Sequence, residues 1–173
     1  MRLWHIDLIP YLPRSQLWLI SQWRELNSIF KKQDKHILIN YVYEDIPSLR
    51  AYTQAIIREM AKRKYNIKSF INEINFFARF GISINESYNK KFAEHNNEYL
   101  TICYWNLREK YLRGQKDFTK EVWDNLEKFY KQKINNNQVI CDYCEKPIKM
   151  FGSVICANCY CMTKKERKEK YGR

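Results

Sequence analysis

Four cysteines near the C-terminus have the spacing of a zinc site. Cys141 and Cys144 form one Cys-x2-Cys pair, and Cys156 and Cys159 form a second pair after eleven intervening residues. Two such pairs can supply four thiolates to one tetrahedral Zn²⁺, and the intervening residues are long enough for a hairpin. We therefore predict a four-cysteine zinc ribbon over residues 138–161, whose metal stabilises a segment too short to build a core.

The remaining cysteines and the basic end of the chain complete this region. Cys161 is a spare thiol that could substitute for Cys159, whereas Cys103 stands alone in a helical stretch and is predicted to be a small buried apolar residue. Residues 162–173 form a highly charged basic tail, which could add phosphate contacts and salt-dependent affinity.

A second group of residues whose types could do chemistry lies on a predicted helix near the N-terminus. Pro13 stands where helices often begin, and apolar residues recur at helical spacing as far as Phe30. Apolar residues occupy nearly all sides, so we expect this helix to be sandwiched between others. Arg24 and Glu25 would then be charged residues on a mostly buried helix. Buried charges destabilise a fold unless they are paired or take part in the protein's chemistry. The pattern alone leaves open whether they pair with a neighbouring helix or do chemistry.

The composition narrows the class of partner. The chain has 173 residues and a net charge of +12, which favours a polyanion such as nucleic acid over an anionic membrane surface or a merely soluble basic protein. No apolar run approaches the roughly 20 residues that a membrane span needs, and polar residues interrupt the N-terminus too early for a signal peptide. Clustered cysteines suit a reducing compartment, so we expect a cytoplasmic, nucleic-acid-associated protein.

Helices are predicted to position these groups. The few glycines and prolines favour an all-α, compact domain over residues 1–134, with residues 135–137 as a linker. Residues 36–43 are β-branched and alternating, and are predicted to be extended. Gly81 and Gly114 are predicted to end helices. The predicted helices cover residues 13–30, 47–65, 70–80, 98–113 and 117–134, the last capped by Asp117.

Three stretches resemble a known family. The opening MRLWHIDLIPYLPRSQL followed by WREL, the segment KHILINYVYEDIPSLRAYTQAIIREMAKRKYNI and, more weakly, EHNNEYLTICYWNLREKYLRGQKDF are similar to pyrimidine-dimer DNA glycosylases of the endonuclease V type. The resemblance covers roughly residues 1–118 and is strongest in the first 70. It implies a helical DNA-repair domain that excises one base of a pyrimidine dimer and then nicks the strand.

The resemblance also assigns roles to residues. It makes the α-amine of Met1 the nucleophile that forms an imine with the sugar C1′, and Glu25 the carboxylate that stabilises positive charge and shuttles protons. An α-amine suits this role because its pKa, about 8, lies below the lysine value of about 10.4. Residues near the site are expected to contact phosphates: Arg2, Arg24, Lys31, Lys32, Lys35 and, with a less defined role, His36.

Two departures from the family pattern bear on specificity. Arg2 is too large for removal of the preceding methionine, so the reacting amine would belong to Met1 itself after loss of its formyl group. Ser28 replaces a basic residue expected three positions after the glutamate, although Lys31 and Lys32 could supply charge nearby. We expect a monomer that acts on damaged double-stranded DNA, needs no diffusible cofactor, does not bind membranes and is cell-, phage- or virus-encoded.

Two other functions fit the same sequence. One is a non-enzymatic DNA-binding protein that reuses the glycosylase scaffold, because a fold does not guarantee chemistry. The other is a protein–protein adaptor in which the zinc ribbon docks a partner. A blocked amine would abolish the enzymatic function while sparing both alternatives.

Overall fold

A computed structural model of the protein describes residues 3–13, 16–32, 36–67, 70–115, 117–135 and 164–171. These ranges are helical, with no strand, so the all-α prediction is confirmed for them. They contain the 3₁₀ helices Ile6–Tyr11 and Asn40–Tyr43 and the following α-helices: α1 Gln16–Lys32, α2 Ile46–Lys62, α3 Ile71–Ala78, α4 Asn97–Leu112, α5 Lys120–Asn135 and α6 Lys164–Tyr171. Across the same ranges, no helix combines the length and apolarity needed to cross a membrane.

The chain divides into two compact units, Met1–Leu126 and Glu127–Arg173. The division falls inside α5, and the domain boundary near residue 135 stays a prediction. The zinc-ribbon segment, with Cys141, Cys144, Cys156 and Cys159, lies outside the described residues. The ribbon and its metal therefore also stay predictions.

The core of the first unit forms around α1 and α2. Helix α1 packs against α2 and α3, and α2 also contacts both 3₁₀ helices. The apolar faces of these elements exclude water from one shared interior, which is the main source of stability for such a unit. Its fully buried side chains include Leu3, Leu8, Leu19, Leu26, Ile29, Ile39, Val42, Leu49, Tyr52, Ile56, Phe76, Phe77, Leu100, Cys103 and Leu107.

Local signals explain both ends of α2. Asp45 caps its first turn, because its side chain accepts the backbone N–H of Ser48 at 3.2 Å, and Pro47 occupies the first turn as predicted. The helix ends at Lys62, earlier than predicted, because Lys64 adopts a left-handed conformation with φ of 62°. The N–H of Tyr65 then bonds back to the Met60 carbonyl at 2.9 Å, a helix-ending arrangement.

The predicted extended conformation of residues 36–43 is wrong. Ile39 donates its N–H to the His36 carbonyl at 2.8 Å, and Val42 donates to Ile39 at 3.0 Å, so this segment makes turns and a 3₁₀ helix. The buried residues Ile39 and Val42 lie three positions apart, which matches the 3₁₀ period. Tertiary burial thus overrides the β-branched propensity, since no neighbouring strand is present in the described ranges to pair with the segment.

Two further predictions about helices need correction. Arg24 is exposed, so α1 is not apolar on all sides and only Glu25 of the charged pair is partly buried. The expectation of two buried charges on α1 is therefore wrong for Arg24. Helix α5 begins later than predicted and is capped by Thr119, whose hydroxyl accepts the N–H of Val122 at 3.3 Å, so Asp117 is not its cap.

A buried ion pair joins α2 to α3. The Arg50 guanidinium bonds to the Glu73 carboxylate, and each side chain is only 4% exposed. Arg50 also donates to the Ile84 carbonyl and lies over the Phe77 ring, 5.3 Å from its centroid. Burial raises the pKa of Glu73, while the charge and hydrogen bond of Arg50 oppose that rise.

Candidate active site at the start of the chain

Side chains from two helices hold the peptide unit between Leu3 and Trp4. The hydroxyl of Tyr99 on α4 donates to the Leu3 carbonyl. The Trp4 N–H donates to Oε1 of Gln22 on α1, at 3.1 Å. Because the Leu3 side chain is completely buried, this peptide is fixed in both position and orientation, two residues after the chain begins.

Gln22 connects the fixed peptide to the predicted catalytic carboxylate. Its Nε2 donates to Glu25 Oε2 at 3.0 Å, and its Oε1 also accepts the Tyr52 hydroxyl at 2.8 Å. Gln22 and Glu25 are three positions apart and therefore share one face of α1. Glu25 is thus linked through one amide to the first residues of the chain.

His95 holds the next part of the N-terminal segment and is neutral. Its Nδ1 accepts the N–H of Ile6 at 3.2 Å, so the ring proton lies on Nε2, which faces the Tyr41 hydroxyl at 3.0 Å. Burial, and next the neighbouring His5, lower the pKa of His95 to about 3. A protonated His95 would present an N–H to the Ile6 N–H, so the hydrogen bond between them would be lost.

His5 is fixed in the same way. The N–H of Asp7 donates to His5 Nδ1 at 3.2 Å, so Nε2 carries the proton and donates to the His95 carbonyl at 2.8 Å. The two imidazole rings are stacked, with centroids 5.3 Å apart. The start of the chain is therefore fastened by a buried network whose bonds require neutral histidines.

We expect the fold to lose stability in acid because of His95. Its pKa falls from 6.5 in the unfolded chain to about 3 in the fold, so the unfolded state binds the proton more tightly. The contribution is complete well above pH 6.5 and is lost as pH falls toward about 3, by up to about 1.4 kcal/mol per pH unit. Urea unfolding of wild type at pH 7 and pH 5 measures this loss.

The matched variant for this prediction is His95→Asn. An asparagine Oδ1 can replace Nδ1 as acceptor of the Ile6 N–H, but it does not titrate. The variant should therefore lose less stability between pH 7 and pH 5 than wild type. Equal losses in the two proteins would show that His95 does not carry this pH dependence.

The predicted site residues differ in where they lie. Glu25 is half-buried beside the N-terminal segment, whereas Arg24, Lys31 and Lys32 are exposed on α1, with Arg24 and Lys31 seven positions apart on one stripe. His36 is exposed, and its Nδ1 accepts the Leu38 N–H at 3.2 Å within its own turn. Of the predicted catalytic and DNA-binding residues, Met1, Arg2 and Lys35 lie outside the described residues.

Residues 1–73 match the family model of pyrimidine dimer DNA glycosylases. No curated protein and no solved structure matches the chain. The matched range contains Glu25, Gln22 and Tyr52, and it ends before His95 and Tyr99. The match thus covers α1, α2 and the start of α3, while His95 and Tyr99, which hold the N-terminal segment, lie outside it.

The sequence predictions missed the residues that build this network, among them Gln22, Tyr52, His95 and Tyr99. Gln22 had one recognisable signal, because it is a polar residue one turn before Glu25 on a helix rich in apolar residues. Tyr52 follows the apolar spacing of the second predicted helix, which indicates burial and gives no sign of a hydrogen bond to Gln22. His95 and Tyr99 gave no local signal, since their partners are about 90 residues away in the chain.

Proposed function

We propose that this protein is a DNA repair glycosylase and AP lyase that excises a damaged pyrimidine, with the pyrimidine dimer as its lesion. The observation that carries this proposal is the fixed Leu3–Trp4 peptide, joined through Gln22 to Glu25. Two residues span at most about 7 Å, so a fixed Leu3–Trp4 peptide is compatible with an α-amine of Met1 that works together with Glu25. The family match over residues 1–73 supports the same chemistry.

The proposed chemistry assigns roles to the Met1 amine and the Glu25 carboxylate. The amine nitrogen of Met1 attacks C1′ of the nucleotide, and the bond from C1′ to the base breaks, with its electron pair leaving on the base. Loss of a proton and opening of the sugar ring give an imine. The Glu25 carboxylate stabilises the positive charge and removes the C2′ proton, so that the 3′ phosphate leaves by β-elimination. Hydrolysis of the imine then regenerates the amine.

Double-stranded DNA is the proposed partner. Arg24, Lys31 and Lys32 offer an exposed basic surface on α1, and the net charge of +12 favours a polyanion. Arg2, Lys35 and His36 are proposed to add contacts near the lesion. The reacting C1′ is inaccessible in a regular duplex, so the DNA must bend and the nucleotide must leave the stack.

An incision assay tests the proposed function. Untagged protein would be incubated with end-labelled duplexes that carry one pyrimidine dimer, one abasic site or no damage. We expect cleavage at the dimer and at the abasic site, with the undamaged duplex intact. Cleavage at the abasic site alone would restrict the activity to the lyase step. Tight binding without any cleavage would contradict the proposal and favour a non-enzymatic DNA-binding protein.

We also propose that the four-cysteine segment binds one structural Zn²⁺ through Cys141, Cys144, Cys156 and Cys159. The donor set fits the ion because four thiolates complete a tetrahedral shell and leave no position for substrate. The metal then has a structural role, because a segment this short lacks a sufficient core.

Zinc analysis of the purified protein tests this assignment. We expect about one zinc per chain in wild type and a large loss in Cys144→Ser, because three thiolates hold the metal more weakly. Cys161→Ser is the matched control and should retain its zinc, since Cys159 completes the second pair. Loss of zinc in Cys161→Ser, with zinc retained in Cys159→Ser, would show that Cys161 and not Cys159 is the fourth ligand. Wild-type protein that stays free of metal after refolding with zinc would refute the site.

A further inference from the structure

The Gln22 amide has only one orientation that satisfies its neighbours. A backbone N–H is always a donor, so the atom that faces Trp4 must be the carbonyl oxygen. The Tyr52 hydroxyl donates to the same oxygen, which fills both of its lone pairs. The amide nitrogen is then turned toward Glu25 Oε2. Exchanging the two amide atoms would place donors against donors on one side and acceptors against each other on the other.

Tyr52 holds the amide in this orientation. Its side chain is fully buried in the core, and its ring packs edge-on against His95, with centroids 5.6 Å apart. Burial raises the pKa of Tyr52, so its hydroxyl keeps the proton that it donates to Gln22. His95 in turn accepts the N–H of Ile6. The amide is therefore supported by the same buried network that fastens the N-terminal segment.

We propose that Gln22 is a positioning residue that holds the Glu25 carboxylate in the position from which it acts together with the Met1 amine. This inference rests on the proposed imine chemistry. One rigid, 2%-exposed amide holds both the peptide that leads to the amine and the carboxylate that assists it. The reaction needs both groups at one carbon, and a misplacement of about 1 Å can cost about 100-fold in rate.

Another glutamine provides the matched control. Gln54 is also buried in a helix and also bridges two groups, since it donates to the Glu86 carbonyl and accepts the Tyr88 N–H at 3.0 Å. Both of its partners are backbone groups of a loop, and neither is a carboxylate. Gln54→Met therefore removes two hydrogen bonds of a buried glutamine without touching Glu25.

Two substitutions at Gln22 separate its two functions. Gln22→Met keeps the length of the side chain and removes the hydrogen bonds to Trp4, Tyr52 and Glu25. Gln22→Glu keeps an oxygen for the Trp4 N–H and the Tyr52 hydroxyl, but it replaces the donor to Glu25 with a second carboxylate. Both variants should misplace Glu25, whereas only Gln22→Met should release the Trp4 amide.

The experiment measures the single-turnover rate of strand cleavage on a saturating duplex with an abasic site, together with the DNA Kd. We expect Gln22→Met and Gln22→Glu to cleave about 10- to 100-fold more slowly. Their Kd should stay within about 2-fold of wild type, because Gln22 is buried and the loss is in positioning, not DNA binding. Gln54→Met should cleave at the wild-type rate. Hydrogen exchange of the Trp4 amide should accelerate in Gln22→Met and remain slow in Gln22→Glu.

Each outcome decides the inference. Wild-type rates of strand cleavage in folded Gln22→Met or in Gln22→Glu would overturn it while leaving the proposed function intact. If Gln22→Met does not fold, Gln22→Glu decides alone. Equal slowing in Gln54→Met would also overturn it, because loss of any buried glutamine would then suffice. A wild-type protein that does not cleave this duplex would refute the proposed function, and the role of Gln22 in catalysis with it.

Discussion

Glu25→Gln is expected to lower the rate of strand cleavage by about 10²- to 10⁴-fold, the usual contribution of a positioned acid–base group. Glutamine preserves the size of the side chain and an oxygen for the Gln22 amide, so the site should keep its shape. It cannot remove the C2′ proton, and it does not stabilise positive charge on the sugar. Single-turnover incision of a duplex with an abasic site measures this effect directly.

DNA binding and a control substitution of another glutamate test whether the effect is specific to Glu25. The DNA Kd of Glu25→Gln should stay the same or fall slightly, because the substitution removes a negative charge close to phosphates. Glu44→Gln changes an exposed glutamate before α2 and should cleave at the wild-type rate. Cleavage by Glu25→Gln within a few-fold of wild type would exclude Glu25 as the catalytic carboxylate.

Arg50→Met is expected to destabilise the fold by about 3–5 kcal/mol, the usual cost of removing one partner from a buried ion pair. The substitution leaves the Glu73 carboxylate buried at 4% exposure without its cation. It also removes the hydrogen bond from Arg50 to the carbonyl of the exposed residue Ile84. Urea unfolding at neutral pH measures the change in free energy of unfolding.

An exposed ion pair is the control for this effect. Arg113 pairs with Glu109 four positions earlier on α4, with side chains 77% and 57% exposed. Arg113→Met should change stability by no more than about 0.5 kcal/mol, because water screens such pairs. The double variant Arg50→Met/Glu73→Leu should recover part of the loss, since it no longer buries a lone charge. Equal effects of Arg50→Met and Arg113→Met would contradict the importance of the buried pair.

The helices that the sequence specifies most clearly are those with local signals at their ends. Pro47 and the apolar face from Leu49 to Met60 predict α2, and Gly114, with φ of 70°, ends α4 as predicted. Residues 36–43 lack such signals, and their β-branched side chains suit either conformation. Burial of Ile39 and Val42 in the core decides in favour of the 3₁₀ helix, and this burial depends on elements distant in the chain.

The candidate site shows the same limit. Glu25 was identified through a family resemblance, because a charge next to Arg24 on a helix is otherwise ambiguous. Gln22 became recognisable only when α1 placed it one turn from Glu25 and against the Trp4 N–H. The contact from Tyr99 to Leu3 spans 96 positions, so no local pattern predicts it. A catalytic carboxylate can thus be proposed from sequence, but the residues that hold it in place can be identified only from the tertiary structure.

The central claim is that the α-amine of Met1 forms an imine with DNA. Untagged protein would be incubated with duplexes that carry a pyrimidine dimer or an abasic site, reduced with borohydride and separated on a denaturing gel. We predict a covalent adduct that peptide mass analysis maps to Met1 and that disappears when the amine is acetylated. An adduct that persists after acetylation, or the absence of any adduct with DNA binding intact, would contradict this chemistry.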